Sequence, residues 1–136
     1  MSSKQFLIDN YYELVALQRV FIEAKFCLEP RDDEVAGSPI VANLCHRLIN
    51  VLISVDVERT GNNKCWLEWL TIDSSREEWQ IALTRAKKEI AWSTWSYEEK
   101  IEYTNNLLSP FLVSNDLINI FMHNVNEHGS GKTDEI

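Results

Sequence analysis

Three prolines and four glycines are all the punctuation in a chain of 136 residues, and that scarcity constrains the fold more than any other feature. An all-β protein of this length needs many tight turns, and glycine and proline are the residues that make them. Helices joined by a few breaks are what remains. Between the breaks, apolar residues recur at helical spacing. Leu7, Tyr11, Leu14, Leu17, Phe21, Ala24 and Leu28 fall on one stripe, widened by Phe6, Val15, Ile22 and Phe26. The stripe predicts a long amphipathic helix over about Ser3 to Leu28. Glu29-Pro30 ends it, because the residue before a proline is pushed out of helical conformation.

After a loop from Pro30 to Gly37, Ser38-Pro39 supplies an N-cap and a first-turn proline. Val41, Leu44, Cys45, Leu48, Leu52 and Val55 continue at helical spacing, although the β-branched stretch from Ile49 to Val57 also fits a strand; we read helix. Thr60-Gly61-Asn62-Asn63 terminates it, and residues 64–70 form one or two helical turns or a loop pinned by tryptophans. Ser75 with Glu78, and Ser96 with Glu99, have capping-box spacing and predict two further helix starts. The first helix runs to about Trp92, with Trp79, Leu83, Ala86 and Ile90 facing one way; the second runs through Ile101 and Leu108 and stops before Pro110. Ser114 caps a last helix carrying Leu117, Ile118, Phe121, Met122 and Val125, closed by Gly129. The expectation is an all-α, single-domain bundle of about five helices over residues 1–128, followed by a flexible tail, 129–136.

Hydrophobic residues make up 45% of the chain and charged residues 25%, which suits a packed core and excludes intrinsic disorder. Cys27, Cys45 and Cys65 are too few for a disulfide framework and point to a reducing compartment. Asp9, Asn10 and Glu13 interrupt the N-terminal segment, which does not read as a signal peptide. Asn50, Ser54 and Asp56 break the longest apolar stretch, Leu48 to Val57, short of a membrane span. A cytoplasmic protein is expected.

The 21 acidic against 13 basic residues give a formal net charge of −8. So acidic a chain repels phosphate backbones and anionic lipid, which argues against direct nucleic-acid or membrane binding. The acid is also local. Residues 1–28 and 38–92 each sum to zero, whereas 29–37 carry −3, 93–110 carry −2, 111–128 carry −2 and the tail −1. Glu98 and Glu99 sit where a helix dipole welcomes carboxylates, but Asp32-Asp33-Glu34 has no evident capping role. Concentrated acid of that kind steers a basic partner.

Five tryptophans are present, with Trp66/Trp69 and Trp92/Trp95 at i,i+3 spacing. Trp66 and Trp79 lie among apolar residues and read as core, whereas Trp95, between Ser93, Thr94 and Ser96, reads as exposed and as an interface anchor. No metal ligand set is expected: there is no C-x-x-C or H-x-x-x-H spacing, and the cysteines read as buried, inert thiols. No G-x-S-x-G motif occurs, and the only G-x-G, Gly129-Ser130-Gly131, lacks a strand before it and a helix after it. Neither an enzyme nor a cofactor is expected.

The acidic loop Glu29 to Glu34, the acidic turn Glu98-Glu99-Lys100-Ile101-Glu102 and the chain length carry a resemblance, at the level of class, to bacterial immunity proteins that neutralise nuclease toxins, including those of colicin and contact-dependent growth inhibition systems. The resemblance implies an acidic inhibitor of a cognate basic toxin, with Asp32, Asp33, Glu34, Glu98, Glu99 and Glu102 as charged contacts and Trp95 as anchor. Three alternatives stand beside it: an inhibitor imitating nucleic acid, which predicts a continuous negative stripe; a small enzyme or ligand-binding domain with a pocket lined by Tyr11, Tyr12, Trp79 and Trp92; and a homo-oligomer built on the first helix. The oligomeric state is left open.

Overall fold

The computed structural model describes residues 4–134, with side chains through His128. Six α-helices follow in order: α1 Tyr11–Lys25, α2 Pro39–Thr60, α3 Lys64–Leu70, α4 Glu77–Lys88, α5 Tyr97–Leu108 and α6 Asn115–Asp134. A 3-10 turn, Trp92–Thr94, lies between α4 and α5. The described residues contain no strand, only an isolated parallel bridge between Thr71 and Leu112. The all-α expectation holds, with α3 as the sixth helix. The stretch 49–57 is helical, inside α2. Of the expected tail 129–136, the side chains and the backbone of 135–136 lie outside the described residues, and α6 continues past Gly129 rather than closing there.

The first helix is shorter than its apolar stripe. Asn10 caps it, accepting from the backbone N–H groups of Tyr12 (2.9 Å) and Glu13 (3.3 Å), so Phe6 and Leu7 precede the helix and are exposed. At the other end the chain leaves the helix after Lys25 so that Phe26 turns into the core. Ser96 and Glu99 do form a capping box, as expected. Ser75 and Glu78 do not. The Ser75 hydroxyl bonds Asp73 Oδ1 and Glu78 pairs with Arg76 at 3.0 Å, which leaves Arg76 as the N-cap without a side-chain bond. A nearer carboxylate has outcompeted the cap. That helix also ends at Lys88, before Trp92, and Ile90 is exposed rather than core-facing.

The buried apolar residues form two clusters. One gathers α4, α5 and α6 around Trp79, which is 1% exposed and meets the Phe121 ring edge-on at 5.2 Å. The other gathers α1, α2 and α3 around Leu14, Leu48, Ile49, Leu52 and Leu70. Trp69 packs against both, and ring contacts run from Phe26 to Phe111 (5.4 Å), from Phe111 to Trp69 (5.0 Å) and from Trp69 to Trp66 (5.6 Å). Tryptophan N–H groups that approach the core find acceptors there: Trp92 Nε1 donates to Asn126 Oδ1 at 2.8 Å and Trp66 Nε1 to Asp56 Oδ2 at 2.7 Å. Trp66 is half-buried rather than core.

By length and composition α2 is apolar enough to cross a membrane, contrary to the shorter stretch weighed from sequence, yet it packs on α1 and α5. The thiols differ as well. Cys45 is buried and its thiol is pushed up to about 11 by burial, Cys27 is half-buried, and Cys65 is exposed.

A charged group sits at the centre of this packing. Lys25 is 1% exposed, with Nζ donating to the carbonyls of Ala36 (3.1 Å) and Asn106 (2.6 Å). It thereby fastens the loop after α1 onto the end of α5. Burial holds its pKa down at about 8.

Candidate acidic-aromatic cleft

The loop joining α1 to α2 positions the most acidic part of the chain. Asp32 accepts the Glu34 backbone N–H at 2.9 Å, closing an Asx turn, while Ala36 is buried and held by Lys25. On the α4 side, Arg85 donates to the Asp33 carbonyl (3.2 Å) and carboxylate (3.3 Å) across 52 residues of sequence. The loop is therefore tied at both ends of its acidic run.

Gly37 lets α5 close on it. A Cβ at that position would come within 2.6 Å of Tyr103 Cε1, so glycine allows the tyrosine ring to approach the backbone this closely. Tyr103 then packs against Trp95 with ring centroids 4.9 Å apart and planes tilted by 57°, and meets Trp92 edge-on at 6.2 Å. The wall is aromatic and fixed. Burial, with the neighbouring Glu89 charge in second place, pushes the Tyr103 hydroxyl up to about 12, against the opposing pull of Arg85. The phenol stays neutral and keeps its proton to donate.

These parts enclose a cleft of about 440 Å³ lined by Asp33, Glu34, Gly37, Ser38, Pro39, Glu89, Trp95 and Tyr103. A smaller hollow of about 160 Å³ shares Asp33, Glu89 and Tyr103 and adds Arg85 and Lys88. Three carboxylates thus face an aromatic wall, with Arg85 bound to one of them. The Arg85 Nε–H is buried without an acceptor among the described residues. Such a site suits a cation: carboxylates supply charge and hydrogen-bond acceptance, and the ring faces supply cation–π attraction.

The sequence-derived contacts divide. Asp33, Glu34 and Trp95 come together in the cleft; Asp32 does not line it. Trp95 is half-buried against Trp92 and Tyr103 rather than freely exposed, because the Trp92–Thr94 turn folds it back onto α5. Glu98, Glu99 and Glu102 are exposed on α5 outside the cleft, and Glu99 is engaged with the Ser96 backbone N–H at 3.0 Å. Three cleft residues escaped sequence reasoning. Glu89 and Arg85 lie in a stretch whose charges cancel, and Tyr103 carries no local signal except its place one turn after Glu99 on the same face of α5.

Other hollows fit less well. A groove of about 580 Å³ beside α1 is lined by apolar residues and by Arg19, Glu23, Arg31 and Asp32, whose charges balance and prefer no sign. The aromatic pocket envisaged from sequence does not exist as one cavity. Tyr11 and Tyr12 border an open hollow with Val55 and Arg59, whereas Trp79 and Trp92 are core. Among the described residues no group of three or more His, Cys, Asp or Glu is arranged around a common metal position. No protein-family model, curated protein or solved structure matches the chain.

Proposed function

We propose that this chain is a protein-binding inhibitor of the immunity type, which neutralises a basic toxin, a nuclease in the leading reading, by seating a cationic side chain of that toxin in the acidic-aromatic cleft. One observation carries the reading: residues far apart in sequence line one cleft with the Asp33, Glu34 and Glu89 carboxylates and the packed Trp95 and Tyr103 rings. An enzyme that cleaves nucleic acid presents basic residues to its substrate, and an acidic cleft recognises those same groups. Glu98, Glu99 and Glu102, exposed on α5 outside the cleft, serve as longer-range steering charges. The interleaved Arg85 and Lys88 support a patterned protein surface over an imitation of the uniform nucleic-acid backbone. The inhibitor acts where its toxin acts, in the cytoplasm.

The test is coexpression with the protein of the adjacent reading frame, followed by binding kinetics on the purified pair. The wild-type chain protects cells from that toxin. Trp95→Ala speeds dissociation and costs about 2 kcal/mol or more, a thirtyfold or larger loss of affinity. Glu34→Gln, at the exposed rim, slows association and flattens its salt dependence. Full affinity in a Glu34→Gln/Glu89→Gln/Trp95→Ala variant with unchanged helical circular dichroism, or an adjacent protein that is neither toxic nor bound, refutes the proposal.

A further inference from the structure

α2 carries a second surface, independent of the cleft. Its most apolar 18-residue window has a mean hydropathy of 1.5, yet only 28% of that window is buried. The open side is one continuous face: Ile40, Leu44, Arg47, Val51, Ser54 and Glu58 recur at helical spacing, with Ile40 72%, Leu44 44% and Val51 48% exposed. Three apolar side chains exposed along one face of a helix, interleaved with Arg47, Ser54 and Glu58, suit a partner surface.

The two charges on the face say which partner. Arg47 and Glu58 are eleven residues apart, about three helical turns, and so point the same way. Neither forms an ion pair among the described residues. When two such helices lie antiparallel across a two-fold axis midway between residues 52 and 53, each Arg47 stands level with the other copy's Glu58. Val51 and Ser54 then meet at the centre. The stretch from Arg47 to Glu58 is self-complementary, as an isologous contact requires, while Ile40 and Leu44 lie outside the helix overlap, opposite positions 61–65 past the end of α2. Other registers lose this match: centring the axis on residue 47 sets the two arginines against each other. A membrane surface is a poorer occupant, because interfacial helices carry an excess of Lys and Arg and this face carries one of each sign.

We infer that α2 is a homodimerisation helix, pairing antiparallel with α2 of a second copy through Val51 and two reciprocal Arg47–Glu58 ion pairs. A single helix pair is small against the roughly 800 Å² per partner of a standard interface, so the dimer is reversible and concentration-dependent. Sedimentation equilibrium of the full chain from about 1 μM to about 1 mM reads the equilibrium directly. R47E alone and E58R alone each weaken dimerisation tenfold or more by setting like charges in register, and the R47E/E58R double swap restores it to within about threefold of wild type. All four substituted positions of the two copies are on the surface, so circular dichroism stays constant across the set. A wild-type monomer throughout the range, single swaps without effect, or a double swap that fails to restore the dimer each overturns the inference. So does binding to anionic phosphatidylserine vesicles with no self-association.

Discussion

Replacing Lys25 by methionine tests the packing at its most demanding point. At neutral pH Lys25 is still an ammonium, but burial lowers its pKa from 10.5 to about 8, so folding disfavours the charged form relative to the unfolded chain. The hydrogen bonding agrees: a neutral amine has two N–H groups, and Ala36 and Asn106 offer two carbonyl acceptors. A shift of about 2.5 pH units corresponds to about 3 kcal/mol that the folded state forfeits while Lys25 is charged. The lysine pKa is lower folded than unfolded, so between pH 8 and 10.5 the unfolded chain holds more protons and stability rises with pH.

Two groups oppose it. The Cys45 thiol is raised from 9.0 to about 11 and the Tyr103 hydroxyl from 10.0 to about 12, so each subtracts stability once its unfolded form ionises. Lysine therefore dominates only between about pH 7.5 and 9, where the net gain is about 1 kcal/mol. Urea unfolding followed by tryptophan fluorescence resolves this as a midpoint increase of roughly 0.5 M. Lys25→Met abolishes the rise and leaves a curve that only declines above about pH 8.5. Its absolute stability at pH 7 changes little, because relief of the charge is offset by two buried carbonyls left without donors at about 1 to 3 kcal/mol each. A wild-type midpoint that is flat or falling from pH 7.5 to 9, or a Lys25→Met curve that keeps the rise, refutes the reasoning.

Two further substitutions have defined outcomes. Gly37→Ala forces Tyr103 away from the loop and destabilises by about 1 to 3 kcal/mol, with a red-shifted Trp95 emission as the wall opens; an unchanged melting temperature counts against the close approach. Ser96→Ala costs about 1 kcal/mol through the lost capping box, whereas Ser75→Ala costs distinctly less because Ser75 caps no helix; equal losses in thermal melts contradict that assignment.

The helices were legible where local signals agreed. Ser38-Pro39, Ser96 with Glu99, and Ser114 each stand at a true helix start, since each serine hydroxyl accepts from the backbone donor three residues on. Reading failed where a second local partner competed. Asp73 captured Ser75, and Asn10 started α1 eight residues later than its apolar stripe suggested. The cleft was legible only in part, through Asp33, Glu34 and Trp95. Glu89, Arg85 and Tyr103 join it because α4 and α5 pack side by side, a fact that periodicity within either helix does not contain. Summing charge by segment concealed Glu89, which the fold brings beside Asp33 of the distant acidic loop.

The α1–α2 loop has an unusual allegiance. The helices that carry it build one hydrophobic cluster, yet its own apolar anchors, Phe26 and Ala36, are buried in the other. It works as a clasp across the seam between the two halves of the molecule, fastened by Lys25 on one side and Arg85 on the other. A ligand that binds the cleft only when loop and α4 stand together stabilises that arrangement by mass action, so occupancy at the surface is felt as cohesion inside.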